Sequence, residues 1–519
     1  MTGTVPREPS DPGDPRDEGP VIVDEGDLAY AVSRRSRLGR AAARVASVSE
    51  RPTYRWWALF AVLSGVFATG LTITVITAAL PFIGRDLGTT RAALSWVVVA
   101  PFLFRAVFVP AFGKLGDRYG RKRTWAIGFG ISSVASLLCG FAPNIGALIV
   151  LRAVAAAASA AVIPSSLALI ADAFDPEERV KALGWWSATI AVSPLIGVIV
   201  GGFVVEALSW RWLFRLQFPF AAVALVFGLL VLRESRGRAD ERFDLAGALL
   251  SIGGLGALML VLNQGSEWGW GSPAVLVALA IAVVLLVAFV TVEHRTDAPV
   301  LPIDYFRRRR FAAAVGANFS ANFAYMGGFF VTSLMLADVW DYGPAQVSLA
   351  ISPRAASLGV MGPIGGYLAA RYGGRRMATW GMACILASML ALAALDAGAA
   401  YWALLPGLVL SGFGLGLVAP PTSATVTNEA DPADLAAVSG ALNMGASVGS
   451  SMGIATMQAV VTLVAGGDTP GMDAYAAAFA FGAVTCAIGL FAASQLGAPR
   501  SRVLATSAST PPDGSPATR

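Results

Sequence analysis

The chain is short of the groups on which most protein chemistry depends. It has one histidine and three cysteines in 519 residues, and only 14% of it is charged. His294 stands alone in a charged stretch. Cys139, Cys384 and Cys486 lie inside apolar runs, at neither metal-ligand nor disulfide spacing, and read as small packing side chains. No phosphate-binding loop occurs, so ATP hydrolysis is not indicated. The absence with most consequence is acidic: no Asp or Glu lies deep in any long apolar run, and Glu206, Asp338 and Asp396 fall near run ends. Without convergent acid, base and nucleophile, an enzyme is not expected, nor is any cofactor or nucleic-acid partner.

What the chain has is hydrophobic length. Its hydrophobic share is 56%, too high for an ordinary soluble domain. Runs able to cross about 30 Å of hydrocarbon occupy 56–82, 92–112, 124–141, 145–170, 181–206, 213–232, 244–263, 274–292, 311–336, 345–368, 377–396, 401–427, 435–464 and 474–496. Backbone polar groups in lipid must be satisfied within each segment, so fourteen such runs predict an all-α membrane protein with fourteen spans. Residues 1–55 and 498–519 lack long apolar runs and read as disordered tails. The charges set the orientation. With the N-terminus inside, 31 of the 38 Lys and Arg fall in cytoplasmic segments, and only Arg85, Arg91 and Arg211 in outer loops. This positive-inside pattern places both termini in the cytoplasm. Arginine outnumbers lysine 35 to 3 and alanine is abundant, which suggests a GC-rich bacterium and hence a bacterial cytoplasmic membrane.

Between the second and third runs stands Gly113-Lys114-Leu115-Gly116-Asp117-Arg118-Tyr119-Gly120-Arg121-Lys122-Arg123. Its glycines let the chain turn at the membrane surface, and its basic side chains stay in water beside anionic headgroups. A partial second copy starts at Gly366 and repeats Gly113, Arg118, Tyr119 and Gly120 at an offset of 253 residues, with Ala370 where Asp117 would recur. Two copies half a chain apart imply a two-halved architecture. The motif resembles the loop between spans 2 and 3 of the major facilitator superfamily. The chain as a whole resembles the fourteen-span drug:proton antiporter branch of that family.

The resemblance implies two six-helix bundles, 56–232 and 311–497, with two extra spans inserted in 233–310. It implies a secondary transporter of a small organic molecule, coupled to protons, working in the lipid bilayer as a functional monomer. Its gate and coupling residues would be Gly113, Asp117, Arg118, Gly120 and Arg121 in the loop, Arg152 in span 4, and Pro194 and Gly197 in span 5. Arg152 would sense protonation or couple to Asp117. Small residues at Ser193, Gly197 and Gly201 recur as Gly445, Gly449 and Gly453 in span 13, and are expected to pair these helices at a moving interface. Depth and polarity nominate Thr72, Thr77, Arg105, Gln217, Asn318, Asn322, Arg354 and Asn443 as cavity residues. Thr72 occupies the position where the family has an aspartate. Three arginines and no acid in the interior predict a neutral or anionic substrate. Export is the expected direction; import of a metabolite by proton symport, or a non-transporting role as membrane sensor or enzyme, is the alternative.

Overall fold

The computed structural model describes residues 53–235, 245–296, 301, 303–430, 435–466 and 469–496. The tails and the linker around 236–244 lie outside them. Among the described residues there are fifteen α-helices: α1 Tyr54–Leu87, α2 Arg91–Tyr119, α3 Arg121–Cys139, α4 Ile145–Ser159, α5 Val162–Ala173, α6 Pro176–Ala207, α7 Arg211–Val231, α8 Leu245–Trp268, α9 Pro273–Glu293, α10 Arg309–Asp338, α11 Pro344–Tyr372, α12 Gly374–Ala393, α13 Tyr401–Glu429, α14 Leu435–Ala465 and α15 Met472–Ser494. Eleven helical segments among the described residues are long and apolar enough to cross a membrane. Their ends carry expected signals. The side chains of Thr90, Asn144 and Ser272 accept from the backbone N–H three residues on, and Pro176, Pro273 and Pro344 open helices where a missing N–H costs nothing.

Two differences from the sequence reading follow from single residues. The second run does not stop at Phe112; α2 continues to Tyr119, so Gly113 and Gly116 are helical and the turn shrinks to Gly120. Gly120 has φ +114°, and Gly373, its counterpart at the repeat offset, has φ +93°, a region in which a Cβ is strained. The fourth run is divided at Ala160–Ala161 into α4 and α5. Pro164 supplies no N–H to the Ala160 carbonyl, and the backbone there tightens, with Ala161 N–H donating to Ala158 O at 3.2 Å.

The helices pack in two sets, α1–α7 and α10–α15, with α8 against α9 and also against α2 and α14. The sets meet through α2 on α14 and α6 on α11. Each of these pairs joins one helix bearing the glycine-arginine motif to one bearing a small-residue row. The rows themselves do something other than expected. A Cβ on Gly197 would lie 2.1 Å from the Leu71 carbonyl oxygen, and Cβ atoms on Gly449 and Gly453 would lie 2.4 and 2.1 Å from the Phe319 and Phe323 carbonyls. They therefore seat α6 on α1 and α14 on α10, within each set. Gly202, next to the α6 row, does touch across the sets: its Cβ would come within 2.4 Å of Ser348. Valine at Gly453 is expected to destabilise the fold by at least the roughly 1–3 kcal/mol of an overpacked core. The protein should then melt lower in detergent; an unchanged melting temperature would contradict the assigned contact.

Candidate functional site

Within the first set, α1–α5 and α7 surround a cavity of about 60 Å³ water-accessible volume, or 650 Å³ of empty space including its mouth. Arg105 from α2 and Arg152 from α4 both face it, together with Ser132 and Ser136 of α3 and Gln217 of α7. Arg152 is buried, 7% exposed, and its Nε donates to the Val97 carbonyl oxygen at 3.3 Å. Among the described residues Arg105 has no hydrogen-bond or ion-pair partner. Gln217 Nε2 donates to Ala68 O at 2.6 Å, while its Oε1 is buried without a partner. Among the described residues no carboxylate lines the cavity. Two cationic side chains thus face one space with only neutral groups around them.

The other nominated cavity residues are placed elsewhere. Arg354 is fully buried in the second set. Its Nη2 donates to Tyr325 O at 2.7 Å and its guanidinium lies 4.6 Å from the Tyr325 ring centroid; it does not reach the cavity of the first set. Asn318 Nδ2 donates to Leu442 O at 3.2 Å, and Asn322 to Asn318 O at 2.8 Å, so this pair links α10 to α14. Asn443 is exposed and donates to Ser439 O at 3.0 Å. Thr77 is buried in α1; the Thr72 side chain lies outside the described residues.

At the end of the bundle that carries the motif, here the basic end, Arg121 is a hub. Its Nε donates to Asp117 Oδ1 at 2.9 Å, and its Nη1 spans both carboxylate oxygens of Asp172 at 2.9 and 2.8 Å. One guanidinium therefore joins α2, α3 and the end of α5. Glu234, past the end of α7, accepts from the backbone N–H groups of Lys122 and Arg123 at 3.0 and 3.2 Å. It thereby supplies the N-terminal cap that Gly120 cannot. A Cβ at Gly120 would lie 2.5 Å from Glu234 Oε1, a second reason for glycine there. Arg118 is exposed and, among the described residues, stacks on Tyr119, 5.3 Å from its centroid. Gly113 touches Pro164 of α5. Half-buried Pro194 adjoins Ser193, which packs on Gly70. Direct coupling of Arg152 to Asp117 is ruled out by position. Arg152 sits beside Val97, twenty residues from Asp117 in the same helix, about 30 Å at 1.5 Å per residue.

Asp172 and Glu234 were missed from the sequence, since each is a single acid at a run end with no motif around it. The same holds at the opposite end of the bundle. There Arg91 Nη1, at the start of α2, meets Asp338 Oδ2, at the end of α10, at 2.8 Å. Tyr475 of α15 donates to the same Asp338 oxygen at 2.5 Å and lies 3.2 Å from Arg91 Nη1. Glu206, at the end of α6, accepts from the Ala345 N–H at 3.0 Å, capping α11 from the other set. Arg85 Nη2 donates to Ala337 O at 3.2 Å. Nearby, Asp86 accepts from Trp210 Nε1 at 2.9 Å and from Arg211 at 2.5 Å. These two bonds hold its carboxyl below the usual carboxylate range.

The sequence profile of the Major Facilitator Superfamily matches residues 62–454 and again 314–509. The chain belongs to the Major Facilitator Superfamily. The overlapping second match agrees with a repeat, and the described α-helices form the family's all-helical fold. Among curated relatives, the chain is 32% identical over 405 residues to the multidrug resistance protein Stp of Mycobacterium tuberculosis (strain CDC 1551 / Oshkosh), covering 78% of this chain and 75% of that one. It is 31% identical over 404 residues to the tetracenomycin C resistance and export protein of Streptomyces glaucescens, covering 78% and 75%. It is 33% identical over 416 residues to a puromycin resistance protein of Streptomyces alboniger, covering 79% and 82%. Among solved structures, a bacterial homologue of the human lysosomal transporter Spinster superposes with TM-score 0.60 at 17% identity, covering 86% of this chain and 97% of that one. The protein is a multi-pass membrane transporter related to drug efflux proteins, and not an enzyme.

In this transporter the ties between the two sets are unevenly placed. The bonds of Arg85, Arg91 and Glu206 all cross from one set to the other. Among the described residues, the ion pairs at the basic end stay within one set: Arg55 with Glu178, Arg121 with Asp117 and Asp172, Arg123 with Glu234, and Arg310 with Glu429. Trp185 of α6 and Tyr367 of α11, near that end, are 60% and 65% exposed. Among the described residues, these polar ties between the sets lie at the end away from the basic motif.

Proposed function

We propose that this transporter exports a small amphiphilic organic molecule, neutral or anionic, across a bacterial cytoplasmic membrane by alternating access coupled to proton entry. The observation that carries the reading is the one-ended closure: Arg91, Asp338, Tyr475 and Glu206 tie the two sets together at the end away from the basic motif. A two-halved carrier that rocks about a central site passes through such a state. In this reading the bundle has fourteen spans, α4 and α5 forming one of them, and both termini and the Gly120 turn are cytoplasmic. The bundles 56–232 and 311–497 are the rocking halves, with spans 7 and 8 inserted between them. The joined end faces out and the parted end faces the cytoplasm, ready to load. The names of the relatives, which speak of resistance and export, support the outward direction. Asp117 and Arg121 with Gly113 and Gly120 form the cytoplasmic coupling end, while Arg118, exposed beside Tyr119, takes little part in it. Pro194 and Gly197 set the seating of α6 on α1.

Substrate charge follows from the interior. A dication held in a hydrocarbon-walled cavity without a carboxylate would be unpaired, at a cost of several kcal/mol. Expression in an efflux-deficient host is expected to raise resistance to neutral or acidic antibiotics and to leave sensitivity to dicationic biocides unchanged. Inverted membrane vesicles given an inward-acidic gradient should accumulate the protective compound. Accumulation only in right-side-out vesicles would make the protein an importer, and protection against the dications alone would reverse the charge assignment.

A further inference from the structure

We infer that the cavity between Arg105 and Arg152 is a binding site for an organic anion, in which a carboxylate lies between the two guanidinium groups and a neighbouring hydroxyl or N–H donates to Gln217. This rests on the export reading above and names the substrate class and the anchor within it.

Among the described lining residues no acidic side chain balances the charges of Arg105 and Arg152. Both arginines line one cavity of about 60 Å³ water-accessible volume, and none of its other lining residues is acidic. Arg152 is 7% exposed, and its one hydrogen bond among the described residues, from Nε to Val97 O, leaves the guanidinium face without an anionic partner. Arg105 has no partner among them. A buried lysine or histidine could lose its proton and become neutral, but a guanidinium keeps its charge in proteins. Both charges line one cavity with no acidic side chain among its described lining residues, and the cost of leaving them uncompensated grows as the surrounding dielectric falls. Only an anion relieves it. A carboxylate matches the planar fork of guanidinium donors and can take two bonds from each.

The rest of the lining narrows the class. Ser132, Ser136 and Ser159 supply hydroxyls on the α3 and α4 walls. Gln217 fixes its amide nitrogen on Ala68 O and leaves Oε1 buried without a donor. A buried acceptor left unsatisfied costs about 1–3 kcal/mol, so the ligand is expected to bring a hydroxyl or N–H to that oxygen. Val98, Pro101, Phe102 and Ile163 form the apolar remainder of the wall and suit a flat ring. The ligand class is therefore a hydroxylated aromatic or similarly apolar carboxylate. The cavity of about 60 Å³ takes the carboxylate and its polar neighbours, and the body of the ligand extends out through the mouth. Arg354 is placed differently: it is fully buried in the second set, with Nη2 bonded to Tyr325 O and its guanidinium over the Tyr325 ring.

The test is equilibrium binding to the purified full-length protein in detergent, with radiolabelled 3-hydroxybenzoate as the probe. Saturable binding is expected, with 3-hydroxybenzamide, its neutral counterpart, competing at least about tenfold more weakly. Arg105→Gln and Arg152→Gln should each weaken binding at least about tenfold in protein that elutes as a single species on gel filtration. Gln217→Leu should weaken 3-hydroxybenzoate more than benzoate. Absence of saturable binding, equal competition by the amide, or equal competition by chloride at the same concentration would overturn the inference, the last by making the pocket an inorganic anion site. Comparison of carboxylate with amide uses the wild-type protein alone, so it holds even where an arginine variant does not fold. Binding needs no transport, so an exporter without an anion site and an anion-binding protein that does not export give different results.

Discussion

Alanine at Arg121 is expected to lower export at least about tenfold while leaving membrane abundance unchanged. The fold survives because the ion pairs are partly solvated: the side chains of Asp117 and Asp172 are 44% and 40% exposed, and such pairs add only about 0–1 kcal/mol each. What is lost is a mechanical link. Arg121 ties the last turn of α2 to the end of α5 from the first residue of α3, so one side chain makes three helix ends move as a unit. If one half rocks against the other, as we propose, a half that yields at its cytoplasmic end transmits the motion poorly. Lysine should restore little, because a point charge cannot bridge two carboxylates as a planar fork does. Arg118→Ala provides the comparison. Arg118 is exposed and touches only Tyr119, and its loss should change export less than about twofold. Equal defects in the two variants, measured as initial export rate per molecule, would remove the special role of Arg121.

A larger effect is expected from locking the other end. Cysteines in place of Arg91 and Asp338, in a background lacking Cys139, Cys384 and Cys486, would stand where a 2.8 Å ion pair now joins the two sets. A short thiol crosslinker should stop transport almost completely, and a cleavable one should allow recovery on reduction. Each single cysteine variant should be indifferent to the reagent. Full transport by crosslinked protein would mean that this end never opens. The charge alone matters less: Asp338→Asn keeps an acceptor for Tyr475 and should slow turnover without stopping it.

Much of the fold could be read from the chain before any coordinates, because lipid leaves a backbone few choices. Long apolar runs had to be helices, and the glycine-arginine repeat marked the two halves. What could not be read was contact between residues distant in sequence. Gly113 and Gly116 looked like turn glycines, yet they are helical and bring α2 close to α5 near Pro164 and Ser165; only φ separates that role from the role of Gly120. Glu234 and Asp172 gave no local signal, because their partners lie on another helix. The Arg91–Asp338 pair spans 247 residues, and the sequence showed no more than two charges at run ends. Arg152 and Arg105 were legible as costly interior charges, and the structure adds that they share a cavity while Arg354 does not. The glycine rows were legible as close-packing faces but not as to their partner, since a small-residue face fits any helix that presents a smooth backbone.

The central claim is that the two ends open in opposition. Spin labels at Lys181 and Tyr372 would report the separation of α6 and α11 at the basic end, and labels at Leu208 and Leu349 the separation of the same helices at the other. All four residues are exposed. Pulsed electron-electron distance measurements in nanodiscs, at neutral and at acidic pH and with a transported compound present, would follow both pairs. If the ends open in opposition, a population is expected in which the Lys181–Tyr372 distance shortens while the Leu208–Leu349 distance lengthens. Distances that stay fixed under every condition, or that lengthen and shorten together, would contradict it.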